Sequence, residues 1–311
     1  MTTIAVTGAS GFCGSHVAGT AAARGYEVLC VGRRPGPVGR HVPWDATREA
    51  PDLSGADLVV HCAAAVGDPP PGSRAEAAMR AVNIDGTARL MEAAGDRPVV
   101  WVSSASVYEP GPGRSYITEE HPVRGQLNAY GRTKAAGEAV ALSGGAVVLR
   151  PRAVYGAGDP HLVPRLLSRV RRGLLLLPGP SVRLSLTAVE NLTDACLAAG
   201  GWPPGAYNIA DPAPYDRDRA VRAVLEAHGV RARIRHVPPA VARAVAGAAQ
   251  LAGRLRPGTE PFLTPYAVDQ LAGSVVLDVS KAEAQGWRAR RALADYTTAS
   301  SAGAVLAQDS P

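Results

Sequence analysis

The chain has 311 residues, 46% of them hydrophobic and 19% charged, with a formal net charge of +6. That is the composition of a globular protein, which excludes a disordered or fibrous chain. Four cysteines and seven histidines are scattered without metal-ligand or disulfide spacing, so no metal is expected, and reduced thiols in a cytoplasm are.

No apolar run reaches the roughly 18 residues of a membrane span, and Thr2-Thr3-Ile4-Ala5-Val6 lacks the charged start of a signal peptide. The basic residues form short, separated groups, such as Arg169-Val170-Arg171-Arg172, with no aromatic residues interleaved. They read as a solvated surface, and no nucleic-acid partner is expected.

Residues 4–6 form an apolar run that predicts a first strand. Thr7-Gly8-Ala9-Ser10-Gly11-Phe12-Cys13-Gly14 follows it and opens a helix over 14–24. Glycines at this spacing allow a tight turn, a close approach to a pyrophosphate and close helix–sheet packing, while the helix N-terminus offers unpaired N–H groups to the anion. Gly8, Ser10, Gly11, Phe12, Cys13 and Gly14 are therefore candidate dinucleotide-binding residues. Cys13 stands where a thiol can be acidified, although a packing role fits it better.

The second strand, 27–31, ends in Gly32-Arg33-Arg34 and carries no carboxylate. A carboxylate there would bond the ribose 2′-hydroxyl of NAD; Arg33 and Arg34 instead suit a 2′-phosphate, so NADP (NADPH) is expected over NAD. Asp45, after a short third strand, is a candidate adenine contact.

Further apolar runs at 58–61, 99–102, 147–149 and 207–209 alternate with helical stretches at 74–94 and 130–142. Strands that are apolar throughout are buried on both faces, and the alternation predicts an α/β fold with a doubly wound, Rossmann-type parallel sheet. Residues 68–72 and 109–128 read as insertions. Beyond residue 149 the pattern breaks up at Pro160, Pro164, Pro178, Pro238 and Pro257. Residues 1–155 and 182–211 are assigned to a nucleotide-binding domain, and 156–181 and 212–311 to a smaller, discontinuous substrate domain. Residues 239–255 make an Ala-rich amphipathic helix, expected to pack on that domain rather than on a membrane.

Lys134 and Lys281 are the only lysines among 33 basic residues, so a retained lysine is a candidate for work that arginine cannot do. Lys134 lies four residues after Tyr130, on the same helix face. A tyrosine titrates near 10, and an ammonium ~4 Å away would lower that by up to about 3 units. Ser103-Ser104-Ala105-Ser106 follows the strand 99–102, at a carboxyl end where ligands bind. Ser104, Tyr130 and Lys134 are the candidate catalytic residues: Ser104 to hold a carbonyl oxygen, Tyr130 to donate a proton, Lys134 to acidify it.

Together these motifs resemble the extended short-chain dehydrogenase/reductases, the NAD-dependent epimerase/dehydratase family. Further matching segments are His61-Cys62-Ala63-Ala64, Val82-Asn83-Ile84-Asp85-Gly86-Thr87 and Arg150-Pro151-Arg152-Ala153-Val154-Tyr155-Gly156. The resemblance implies that Ala63, Ala64, Asn83, Pro151 and Val154 join Tyr130 and Lys134 against the cofactor. Leu162-Val163-Pro164, Arg172-Gly173, Val189-Glu190-Asn191-Leu192 and Pro265-Tyr266-Ala267-Val268 look like its 3β-hydroxysteroid dehydrogenase and 2-alkyl-3-oxoalkanoate reductase branch.

Two departures stand out. Glu109 replaces the glycine common after the tyrosine of the serine segment. Leu184-Ser185 stand where sugar-nucleotide enzymes carry an Arg-Asp pair.

The resemblance implies an oxidoreductase of the kind used in secondary metabolism: an NADPH-dependent ketoreductase acting on a largely apolar carbonyl compound (β-keto acyl, polyketide or sterol-like). The segments 174–177, 240–251 and Phe262-Leu263 suit an apolar substrate. The alternatives are a nucleotide-sugar epimerase or dehydratase retaining NAD(P), and a non-catalytic NADP-sensing or RNA-associated protein. A homodimer through the helices at 74–94 and 130–142 is a further expectation.

Overall fold

The computed structural model describes residues 1–255 and 264–299. The first part of the chain lays down β1 (Thr3–Thr7), α1 (Phe12–Ala23), β2 (Glu27–Gly32), β3 (Arg40–Pro43) and β4 (Leu58–His61). A long helical stretch follows as α2 (Arg74–Arg80), a π-turn over Ala81–Asp85 and α3 (Gly86–Ala94). Then come β5 (Val99–Val102), α4 (Ala129–Ser143), β6 (Val147–Pro151) and the short β7 (Val154–Tyr155). The remainder comprises α5 (Leu162–Ser168), β8 (Leu174–Pro178), β9 (Arg183–Leu184), β10 (Thr187–Ala188), α6 (Val189–Ala198) and β11 (Gly205–Ile209). After them lie β12 (Tyr215–Asp216), α7 (Arg217–Ala227), β13 (Arg233–Val237), α8 (Pro239–Leu255), α9 (Pro265–Ala272) and α10 (Ser280–Glu283).

Seven strands form one parallel sheet in the order β11-β6-β5-β4-β1-β2-β3. The order reverses between β1 and β4, and ligands bind such sheets at the carboxyl ends beside that switch. Period-two alternation divides each strand between two cores. Ile4 and Val6 face α1 and α6, with Val17, Ala18, Ala21, Leu192 and Ala195. Ala5, Leu29, Val31 and Trp101 face the opposite layer, with Leu90 of α3 and Ala141 of α4.

The stretch 74–94, read from sequence as one helix, is helical throughout, but the π-turn adds a residue at its centre. There the Asn83 carbonyl meets α4 where a Cβ on Gly137 would come within 2.0 Å of the Asn83 oxygen. Glycine at 137 is what lets the two helices touch.

Past β6 the chain leaves the main sheet and returns for β11. Three two-stranded ladders, β7–β10, β9–β12 and β8–β13, lie outside it. Leu175 and Leu177 of β8 pack with Leu225 of α7, and Ala242 and Ala246 of α8 pack with Val268 of α9. Helix α8 thus packs on its neighbour as expected, but through alanines; Val241, Val245 and Leu251 stay exposed. Phe262-Leu263 lies outside the described residues. Among the described residues no helix is long and apolar enough to cross a membrane, and no cluster of potential metal ligands occurs.

Candidate active site

The turn from β1 into α1 is shaped by glycine. Gly8 has φ +67° and lies so close to β4 that a Cβ would come within 2.8 Å of the Ala63 backbone; at Gly14 a Cβ would fall 2.3 Å from the Gly8 carbonyl. Gly11 caps α1 without a side-chain hydrogen bond, and no acid occupies the first turn. The first N–H groups of α1 therefore face a glycine cradle with no side chain to satisfy them, which fits an incoming phosphate.

Arg34 lines a cleft with Ala9, Ser10 and Ser15. Arg33 and Arg34 are exposed, and among the described residues neither joins an ion pair. Asp45 is tied locally: its Oδ1 accepts from Thr47 N (2.9 Å) and Oγ1 (2.7 Å), and these bonds hold its carboxyl below the usual range. Phe12 stacks edge-on against His16. Burial pushes the Cys13 thiol up to about 12, overriding the helix terminus, so Cys13 is a packing residue.

Ala63 and Ala64 follow β4 in a half-buried loop that Asn83 secures. Ala65 N donates to Asn83 Oδ1 (2.7 Å), and Asn83 Nδ2 donates to Ala65 O (2.9 Å) and Thr133 Oγ1 (3.0 Å). With both amide hydrogens used and 1% exposure, Asn83 acts on this region through the loop. His61 shares a 2.7 Å hydrogen bond with Thr7 Oγ1, and burial lowers its pKa to about 3. It is a neutral strand-end residue.

Tyr130 and Lys134 are placed by the first two turns of α4, which Asn128 caps by accepting from Gly131 N at 2.8 Å. The serines after β5 divide the work. Ser103 donates to Glu138 Oε2 at 2.5 Å and is structural; Ser104, whose Oγ accepts from Ser106 N at 3.2 Å, acts on the Tyr130 phenol to favour its ionised form; Ser106 Oγ is buried with no partner. Pro151 ends β6, and Val154 follows Ala153, which is held at φ +47°, a left-handed conformation costly for a residue with a Cβ. The Tyr155 hydroxyl is spent on Asp211 at 2.6 Å.

The electrostatic relation expected between Lys134 and Tyr130 needs correction. Lys134 Nζ donates to the Val102 carbonyl (2.7 Å) and sits over the Trp101 indole, 3.6 Å from its centroid. Burial pushes the phenol up from its ordinary value, with Tyr266 and Cys13 acting the same way and Ser104 alone opposing. Burial also lowers Lys134 to about 7, against Glu138 and the nearby thiols. In this arrangement Tyr130 is a neutral phenol.

Sequence reasoning missed several neighbours. Trp101, which floors Lys134, is an aromatic residue inside a valine strand. Tyr266 of α9 acts electrostatically on Tyr130 and on Arg152. Glu138 and Arg150 form an ion pair (2.5 Å) in the interior. Glu109, the departure from the glycine pattern, is held by Arg124 through two bonds of 3.0 and 3.3 Å and so folds the 109–128 insertion back on itself.

Comparison with known proteins agrees with the fold. A model of the NAD dependent epimerase/dehydratase family matches residues 4–210. The 2-alkyl-3-oxoalkanoate reductase of Shewanella oneidensis is 29% identical, over 89% of this chain and 80% of its own. The 3-beta-hydroxysteroid dehydrogenase of Mycolicibacterium neoaurum is 29% identical, over 90% of this chain and 84% of its own. The solved structure of MoeE5 in complex with UDP-glucose and NAD superposes with a TM-score of 0.74, covering 99% of this chain and 100% of that one at 24% identity; at that identity the likeness is one of fold.

Proposed function

Because the chain belongs to the NAD-dependent epimerase/dehydratase family, and is thus an NAD(P)-dependent oxidoreductase of the extended short-chain type, we propose that it is an NADPH-dependent ketoreductase for a largely apolar carbonyl compound. The observation that carries this reading is the placing of Tyr130 and Lys134 on the first turns of α4, with Ser104 just beyond β5 acting on the phenol. In this reading residues 1–155 and 182–211 hold the cofactor, and 156–181 and 212–311 hold the substrate.

The glycine cradle and the N-terminus of α1 receive the pyrophosphate; Arg33 and Arg34 receive a 2′-phosphate. Bound there, the nicotinamide supplies hydride. Ser104 donates a hydrogen bond to the substrate carbonyl oxygen and so polarises it. Tyr130, kept neutral by burial, passes its proton to that oxygen as negative charge develops. Lys134 contributes positive charge, anchored by Val102 and Trp101. Pro151 and Val154 line the same end of β6, and Ala63 and Ala64 that of β4.

The relatives named for 2-alkyl-3-oxoalkanoate and 3β-hydroxysteroid chemistry favour an apolar substrate, as do the leucines of β8. A sugar-nucleotide substrate is disfavoured because Leu184 and Ser185, at the place of the family's Arg-Asp pair, are both buried. We place a homodimer contact on the outer faces of α3 and α4, which light scattering would test. The activity test is NADPH oxidation against a panel of apolar ketones. Turnover is expected in the native protein and is lost in Tyr130→Phe, with NADPH binding retained; a Tyr130→Phe enzyme of native activity refutes the reading.

A further inference from the structure

Beyond Tyr130, at the ends of β6 and α9, lies a group that the proposed chemistry does not use. Arg152 is 6% exposed. Its Nη1 donates to Ser185 O (2.7 Å), and its Nη2 to Gln270 O (3.1 Å) and, at a long 3.4 Å, Gln270 Oε1. Its Nε is buried with no partner at all. Every acceptor it has is neutral, so its charge is uncompensated by direct pairing among the described residues.

The nearest acid is already committed. Asp269 pairs with Arg114 Nη2 at 2.8 Å, and Arg114, itself 4% exposed, also donates from Nε to Gly111 O at 2.9 Å. Two buried guanidiniums thus share one carboxylate. Asp68 acts on Tyr266 and is not among the groups acting on Arg152. Burial lowers Arg152 only to about 10, so it stays charged at neutral pH. A buried charge without an ionic partner is expensive, and a buried N–H without an acceptor adds to that.

The geometry points to a substrate oxyanion as the missing partner. We propose that Arg152 is the substrate-binding residue that selects a carboxylate, borne by the substrate a few bonds from the carbonyl that Tyr130 protonates. The assignment rests on the ketoreductase reading of the site. In a guanidinium, Nε–H and one Nη2–H point along a common edge, and that edge accepts a carboxylate side-on through two parallel bonds. Here the edge consists of the unpartnered Nε and the loosely held Nη2, and the weak bond to Gln270 Oε1 is the one to give way. Tyr266 stands between the two functions, acting on Tyr130 and on Arg152. Ser104 and Arg152 each lie just beyond the carboxyl end of one of two adjacent strands, β5 and β6, which places a carbonyl and a carboxylate of one small molecule side by side. One free edge suits a carboxylate better than a phosphate, whose three oxygens would lack donors.

The test compares a 2-alkyl-3-hydroxyalkanoic acid with its methyl ester on the NADP-loaded protein, reading both the shift in melting temperature and NADP reduction. The acid is expected to raise the melting temperature more than the ester, with kcat/KM at least ~10-fold higher, the size of one lost charge-assisted hydrogen bond. Arg152→Gln removes that preference and Arg152→Lys restores part of it. Equal stabilisation by acid and ester in the native protein overturns the assignment and needs no variant; so does an Arg152→Gln enzyme that still prefers the acid. Acid-selective stabilisation with no turnover of either compound supports the carboxylate site and refutes the ketoreductase reading.

Discussion

Lys134 shows how far a side chain's neighbours decide its chemistry. Its ammonium is 1% exposed, on a carbonyl and an indole face. In the unfolded chain it holds its proton to about pH 10.4, whereas the folded chain releases it near 7. Between these values the unfolded state binds more protons, so stability rises with pH. Lys134→Met is therefore expected to melt several degrees higher than the native protein at pH 6, with the advantage shrinking toward pH 10; calorimetry across that range checks it. Tyr130 shifts the other way, its proton retained by burial. Ketone reduction should stay flat to about pH 9, below the ordinary phenol value, while alcohol oxidation, which needs the phenolate, climbs with pH throughout. At the cofactor's other end, Arg33→Ala with Arg34→Ala should lower NADPH affinity by ~10–100-fold and leave NADH unchanged, because the two exposed guanidiniums together contribute about 1.5–3 kcal/mol through the phosphate. Equal affinities of the native protein for the two cofactors, measured by titration, would refute the NADP assignment.

At the scale of elements, two close approaches fix the site. The first is the turn from β1 into α1, legible in the sequence because its glycine spacing has a local cause: a backbone that doubles back before a helix. The second, between the π-turn and α4, was not legible, since Gly137 and Asn83 are 54 positions apart and neither carries a local signal. A methyl at 137 would meet the Asn83 carbonyl, so Gly137→Ala must push α4, with Tyr130 and Lys134, off the π-turn. A loss of more than about 2 kcal/mol is expected by urea unfolding, with activity falling beyond what stability alone explains. Gly144→Ala, whose one close contact is the flexible end of Met91, serves as the mild comparison. The strand runs were legible because burial on both faces demands apolar residues at every position. The electrostatics of Tyr130 and Lys134 were not, because helix spacing gives a shared face but not the direction of a long side chain.

Across the whole molecule, a buried polar network ties the sheet to the returning chain. Ser103 donates to Glu138, and Arg150 donates to Glu138, to Tyr108 Oη (3.0 Å) and to Glu119 O (3.1 Å). Tyr108 in turn donates to Asn208 of β11 at 2.6 Å, and Asn208 donates to Ile117 O and Asp278 O. The network joins α4, β6, β11, the insertion at 109–128 and the segment before α10. Glu138→Gln is expected to cost about 3–5 kcal/mol, since it leaves the Arg150 charge buried and unpaired. Glu138→Leu combined with Arg150→Met should lose less than either single change, a non-additivity that a double-mutant cycle measures.

The sequence by itself determined the parallel sheet, the glycine turn before α1 and the helix face that Tyr130 and Lys134 share. Each depends on neighbours within a few positions, where backbone geometry and periodicity leave little choice. Only the tertiary structure decided which way Lys134 points, that burial raises the Tyr130 phenol, and that Arg152 is buried without a counter-charge. Those outcomes depend on burial and on partners tens to hundreds of residues away, and desolvation by distant segments outweighs any charge the local spacing can supply.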